Sequence, residues 1–173
     1  MSRKRAFESP ATASCKKSLA DTSDILFYST VGEWGFLSNF SRHPLFVDGL
    51  VYPTSEHYYQ AQKCPAGSSF AEKIRKCTTP TRAAALGRSQ RCPKVPNWDD
   101  IKLQVMEKAL KIKLAQHPDL SAKLLESGSR HLVEASPKDS FWGWGKDKNG
   151  ENHLGKLWMK IREEEKLSLS RIM

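Results

Sequence analysis

The chain has 173 residues, a net charge of +9 and four cysteines, Cys15, Cys64, Cys77 and Cys92. That length is one domain's worth. No apolar run approaches the roughly 18 residues of a membrane span, and the cysteines lack CxxC or Cys/His spacing, so a disulfide scaffold and a metal site are not expected. The positive excess favours polyanionic partners, either nucleic acid or phosphate-bearing small molecules.

Residues 1–24 are rich in Ser, Thr, Ala and charge and poor in large apolar groups, which predicts a disordered basic tail. Its RKR and KK clusters have the pattern of a bipartite nuclear import signal. The expected location is intracellular and cytoplasmic, with nuclear entry left open. A single domain is expected over 25–167, with 168–173 a C-terminal tail.

The domain opens with the strand ILFYS and a loop, GFLSNFSRHP, that places Asn39 between aromatics, with Phe40 beside it. LFVDGLVYP then reads as a hairpin, because Asp48-Gly49 suits the two left-handed residues of a type I′ turn. Pro53 ends it, and Thr54 or Ser55 caps a helix carrying EHYYQAQKC. Short helices follow from Phe70 to Cys77 and from Pro80 to Leu86, the latter ending at Gly87. After Asn97 a longer helix carries Ile101, Val105, Met106, Ala109 and Ile112 at helical spacing until His117-Pro118 breaks it. A further helix runs from Pro118 to Gly128. HLVEAS is a strand, a glycine-rich loop follows, and a last helix runs from His153 to Glu165. The expected class is α+β, one compact and predominantly helical domain with a small hairpin and short strands.

On the EHYYQAQKC helix, Glu56, Gln60 and Lys63 share one face, while Tyr58 and Tyr59 turn toward the core. Such a stripe is a solvated surface or the wall of a site. His57, off that face, reads as structural. A second cluster, Ser136 to Gly155, joins Trp142 and Trp144 to several glycines at the start of a helix, which suits base stacking and phosphate approach, or else a loop with core anchors. Asn97 or Asp99 of NWDD reads as a helix cap.

FLSNF, YPTSEHYYQAQK, AAALGR, VMEKALKIKLAQHPDLSAKLLESG, LVEASPKDSFWGWG and NGENHLGKLWMKIR occur in that order, and together they resemble the YbiA-like, or NADAR, domain. The resemblance covers nearly all of 25–165. It implies an N-glycosidase that hydrolyses a bond between ribose C1 and nitrogen, either in riboflavin-pathway intermediates or in ADP-ribose attached to the amino group of guanine. It also implies that Glu56, Trp98 and Asp139 are catalytic, with Lys63 a further match.

The chemistry of the residues fits that implication. Breaking a ribosyl C–N bond builds positive charge on the sugar, which a carboxylate stabilises, and the leaving amine needs a proton or an aromatic clamp. Glu56 and Asp139 divide those roles, and Trp98 stacks on the departing base. Lys63 either neutralises a phosphate or attacks C1 to form a Schiff base. Arg88 and Lys146 suit a diphosphate. Asn39, Phe40, Gln60, Trp142, Gly143, Gly150 and Asn152 complete the expected ligand site. The expectation is a monomeric hydrolase, without metal or cofactor, that removes ADP-ribose from guanine in nucleic acid or nucleotides. The rivals are an N-glycosidase for a phosphorylated pyrimidine riboside and a non-catalytic ADP-ribose reader.

Overall fold

The strands are too short to make a central sheet. In the computed structural model, which describes residues 23–171, β1 (Ile25–Phe27) pairs in parallel with β4 (Leu132–Glu134), while β2 (Leu45–Val47) and β3 (Leu50–Tyr52) form an antiparallel hairpin. The basic clusters of the expected N-terminal tail lie outside the described residues. Asp48 and Gly49 take φ of 50° and 77°, the left-handed pair that a type I′ turn requires. A 3-10 turn at Gly35–Leu37 precedes the hairpin. The helices are α1 (Ser55–Ala61), α2 (Ser69–Arg75), α3 (Pro80–Arg88), α4 (Trp98–Gln116), α5 (Pro118–Glu126) and α6 (His153–Ser170). The architecture is a single α+β domain with more helix than strand.

Local chemistry places most boundaries. Thr54, Ser68 and Thr79 cap α1, α2 and α3 by accepting from the backbone N–H three residues on. Helix α2 ends at Arg75, short of the expected Cys77, whereas two helices run past their expected ends. Helix α3 does not stop at Gly87 but continues to Arg88, because Gly87 packs against the Gln60 amide, where a Cβ would overlap it. Helix α6 continues past Glu165 to Ser170, into the segment expected as a tail. Lys166 donates to Gly128 O at 2.9 Å, and Arg162 to Ser127 Oγ and Arg130 O at 2.8 Å, tying α6 to the end of α5.

Two apolar clusters share α1 and α4. One gathers Ile25, Phe27, Leu132, Leu154 and Trp158, the other Leu45, Tyr52, Ile74 and Ala83. Helix α4 gives Met106 and Leu110 to the first and Ala109 to the second, while α1 gives Tyr59 to the first and Tyr58 to the second. A seven-residue helix has little stability alone, so α1 is held by this two-sided packing, and every one of its residues is buried. The loop before the hairpin is fastened from below: Lys113 of α4, fully buried, donates to Phe36 O, to Ser38 O at 3.3 Å and to Ser41 Oγ at 2.6 Å.

Candidate active site

The polar stripe of α1 lies at the seam between the two clusters. Glu56 N donates to Asn39 O at 3.1 Å, so the Lys113-fastened loop sets where the Glu56 side chain starts. Gln60 Nε2 donates to Glu56 Oε1 at 2.7 Å. Lys63, just past the helix, directs Nζ toward Gly87 O at 3.5 Å and over the Tyr59 and Trp98 rings, 5.3 and 5.7 Å from their centroids. Glu56, Gln60 and Lys63 are all buried. Spacing alone had left a solvated surface open as a reading of this stripe, and burial removes it.

Burial also sets the electrostatics. It raises the Glu56 carboxyl above the usual carboxylate range, against the pull of Gln60, Lys63 and Arg88, while Asp139 pushes the same way as burial. Burial lowers the Lys63 amine, against the pull of Glu56, and Lys94 and Arg88 lower it further. An acid and an amine thus face each other in a setting that disfavours both charges.

The glycine-rich loop supplies the opposite wall. Asp139 Oδ1 accepts from Phe141 N at 3.0 Å and Trp142 N at 2.8 Å, a turn that carries Trp142 onto Tyr59 with ring centroids 5.4 Å apart. Gly143 permits the loop's close return, since a Cβ there would lie 2.5 Å from Glu134 O and 3.1 Å from Asp139 O. That contact introduces a residue the sequence reading missed. Glu134 shares the inward face of β4 with Leu132, is buried, and is pushed up to about 8 by burial, then Asp139, then Glu56. The alternation Leu-Val-Glu held the signal, because residues two apart on a strand face the same way.

The structure therefore brings Glu56, Gln60, Lys63, Asp139, Trp98 and Trp142 together with Glu134 and Tyr59. Arg88 is exposed at the end of α3, close enough to act on both Glu56 and Lys63. Several expected roles change. Trp98 is buried edge-on to Tyr59, 5.1 Å between centroids, so it backs Lys63 and has no open face for a departing base, whereas Trp142 is only half-buried. Asn152 is a clamp for β4, with Oδ1 accepting from Glu134 N and Nδ2 donating to Leu132 O. Gly150 N donates to Trp144 O and Gly143 O accepts from Asn152 N, so both glycines serve the loop's own turns. Asn39 donates to Met106 Sδ at 3.3 Å and supports Glu56 through its backbone. Phe40 and Lys146 lie exposed, Lys146 on the loop beyond Trp144. His57 bridges Thr54 Oγ1 and Cys77 O, a structural role as expected.

A family model for the NADAR domain matches residues 26–166. The chain belongs to the NADAR family. It is 45% identical over 140 residues to "N-glycosidase YbiA" of Escherichia coli, covering 81% of this chain and 87% of that protein. It is 37% identical over 158 residues to "Riboflavin biosynthesis protein PYRR, chloroplastic" of Zea mays, covering 83% of this chain and 25% of that one. The NMR structure of E. coli YbiA superposes with a TM-score of 0.78 at 40% identity, covering 95% of this chain and 96% of the other. Among the described residues of this NADAR domain, no cluster of His, Cys, Asp and Glu could hold a metal ion, and no helix is long and apolar enough to cross a membrane.

Proposed function

We propose that this N-glycosidase removes ADP-ribose from the amino group of guanine, carried on nucleic acid or nucleotide, by hydrolysing the ribose C1–N bond. The reaction class agrees with the names of its NADAR relatives. The substrate class is supported by one observation: two exposed cations, Arg88 and Lys94, act on the buried Lys63, and Arg88 also on Glu56, so positive charge flanks the acid–amine centre. A diphosphate or strand backbone on those two cations would hold the attached ribose against the acids.

The spare donor capacity of Lys63 beside Glu56 supports the nucleophile over the phosphate clamp. The Lys63 amine lies against the Tyr59 and Trp98 rings and is lowered by burial, and the neutral form of an amine can add to carbon. Ring opening of the glycosylamine gives an imine at C1. Lys63 Nζ adds there, the guanine amine departs with the electron pair of the C1–N bond, and water then hydrolyses the lysine imine to release ADP-ribose. The Glu56 and Asp139 carboxyls stand beside the cationic iminium stages, whose positive charge a carboxylate stabilises.

The test offers one preparation a guanine-ADP-ribosylated oligonucleotide and a phosphorylated ribosylaminopyrimidine, at low and moderate salt, with borohydride added during turnover. Free ADP-ribose from the oligonucleotide, weaker binding as salt rises, and a reduced adduct mapped to Lys63 are the expected results. Preference for the pyrimidine riboside overturns the substrate assignment, and tight ADP-ribose binding without cleavage of either would make the protein a reader.

A further inference from the structure

We propose that Glu134 is the proton donor of this site, giving its proton to the nitrogen that leaves ribose C1. The inference rests on the N-glycosidase reading above and adds to it a residue and a division of labour among the acids.

The three acids differ in what surrounds them. Glu56 accepts from Gln60 and faces Lys63 and Arg88. Asp139 Oδ1 accepts two backbone N–H bonds, from Phe141 and Trp142. Glu134 is 7% exposed, and among the described residues its carboxyl receives no hydrogen bond and meets no cation. The charges that act on it, Asp139 from the loop and Glu56 from α1, are both negative. The other elements packed on β4 add none: β1 sets Phe27 opposite Glu134, and α6 sets Gly155 against Leu132 O.

When acids crowd one site, the proton is held most readily by the one lacking a partner. Since Glu56 accepts from Gln60 and Asp139 from two backbone N–H groups, of the three carboxyls here that one is Glu134. Its burial brings it to about 8, so it holds a proton at neutral pH and can release it. As the C1–N bond breaks, its electron pair goes to nitrogen, the Glu134 proton joins that pair, and Glu134 becomes a carboxylate. The water that hydrolyses C1 leaves its oxygen on carbon and returns a proton to Glu134, which closes the cycle.

The position is held on every side. Asn152 fixes the Glu134 N–H, Trp144 N donates to Glu134 O at 3.0 Å, and Gly143 closes over it. This bracing explains why Asn152 and Gly143, expected at the ligand, serve the strand instead: they aim an acid.

Single-turnover rates for wild type, Glu134→Gln and Glu134→Asp across roughly pH 6 to 9.5 test the role. The wild-type rate should fall above about pH 8, where the donor is lost. Glu134→Gln should lose about a hundredfold or more, lack that alkaline limb, and bind ADP-ribose within about twofold of wild type. Glu134→Asp should recover part of the rate and a shifted limb. A Gln variant that keeps the wild-type rate and limb overturns the proposal.

A second measurement does not depend on turnover. Infrared spectra at pH 7 should show a protonated carboxyl band that Glu134→Gln removes, and its absence in wild type also overturns the proposal. Stability gives the fold control. The folded pKa lies above the unfolded value of about 4.3, so the folded state binds the extra proton between the two, and wild type should lose stability relative to Glu134→Gln as pH rises from about 4.3 to about 8. If wild type cleaves no N-ribosyl bond while the band is present, the glycosidase reading and the donor role fall together; cleavage without the band removes the donor role alone.

Discussion

Lys63 and Lys113 are both buried, at 7% and 0% exposed, yet they have opposite surroundings. Lys113 donates to Phe36 O, Ser38 O and Ser41 Oγ, so the three donors of an ammonium are all engaged, and burial is the cause that lowers its pKa, to about 7. Lys63 makes one long contact to Gly87 O, lies against two aromatic rings and faces Glu56. The difference teaches that burial does not mark a chemical lysine. Unfilled donor capacity beside a counter-charge does, because only that amine has something left to offer a substrate.

Exchanging each lysine for methionine should therefore give crossed outcomes. Lys63→Met should lose about a thousandfold in turnover, on the scale of a removed catalytic group, and change the melting temperature little, since the apolar stem still packs. Lys113→Met leaves buried oxygens short of a donor, at about 1–3 kcal/mol for each unsatisfied group, partly offset by removing a buried charge. Loss of roughly 3 kcal/mol in urea unfolding is expected, with turnover per folded molecule much less affected. If Lys63→Met proves the unstable variant and Lys113→Met the inactive one, the comparison is wrong.

The same pair differs in pH response. The folded pKa of Lys113, about 7, lies below the unfolded value of about 10.4. Between those two the unfolded chain binds more protons, so stability rises with pH there. Below pH 7 both states are charged and the cost of burying the ammonium is fully felt. Urea unfolding from roughly pH 6.5 to 9.5 should show wild type gaining on Lys113→Met as pH rises. A flat difference would mean that the three oxygens hold the amine charged throughout.

The sequence carried the face of α1 and the hairpin because both follow from local rules, helical spacing in one case and a two-residue turn in the other. It did not carry the Lys113 anchor: in an amphipathic helix that lysine looks like any other, and Phe36 is 77 positions away. Glu134 sat in plain alternation with Leu132, but its meaning depends on Asp139 and Glu56 arriving from other elements. Trp98 was matched by resemblance, while its burial against Tyr59 is a tertiary fact. Asn152 read as part of the ligand site until β4 supplied partners for both of its side-chain atoms.

Gly87 shows the same limit and offers the finest probe of the Lys63 side. A glycine after a short helical run reads as a stop, since glycine favours the position just beyond a helix end. Here it lies inside α3 because the Gln60 side chain passes where a Cβ would be, and that amide holds Glu56. Helix propensity alone would make alanine the better residue by up to about 1 kcal/mol. Gly87→Ala should instead lower turnover by about tenfold, because crowding in a packed interior moves side chains off their rotamers, and here the one moved orients an acid. A double-mutant cycle with Gln60→Ala separates the routes. If the added methyl acts through Gln60, Gly87→Ala should have little further effect once Gln60 is cut back. An undiminished effect in the Gln60→Ala background would trace it to Gly87 O, the one acceptor Lys63 has among the described residues.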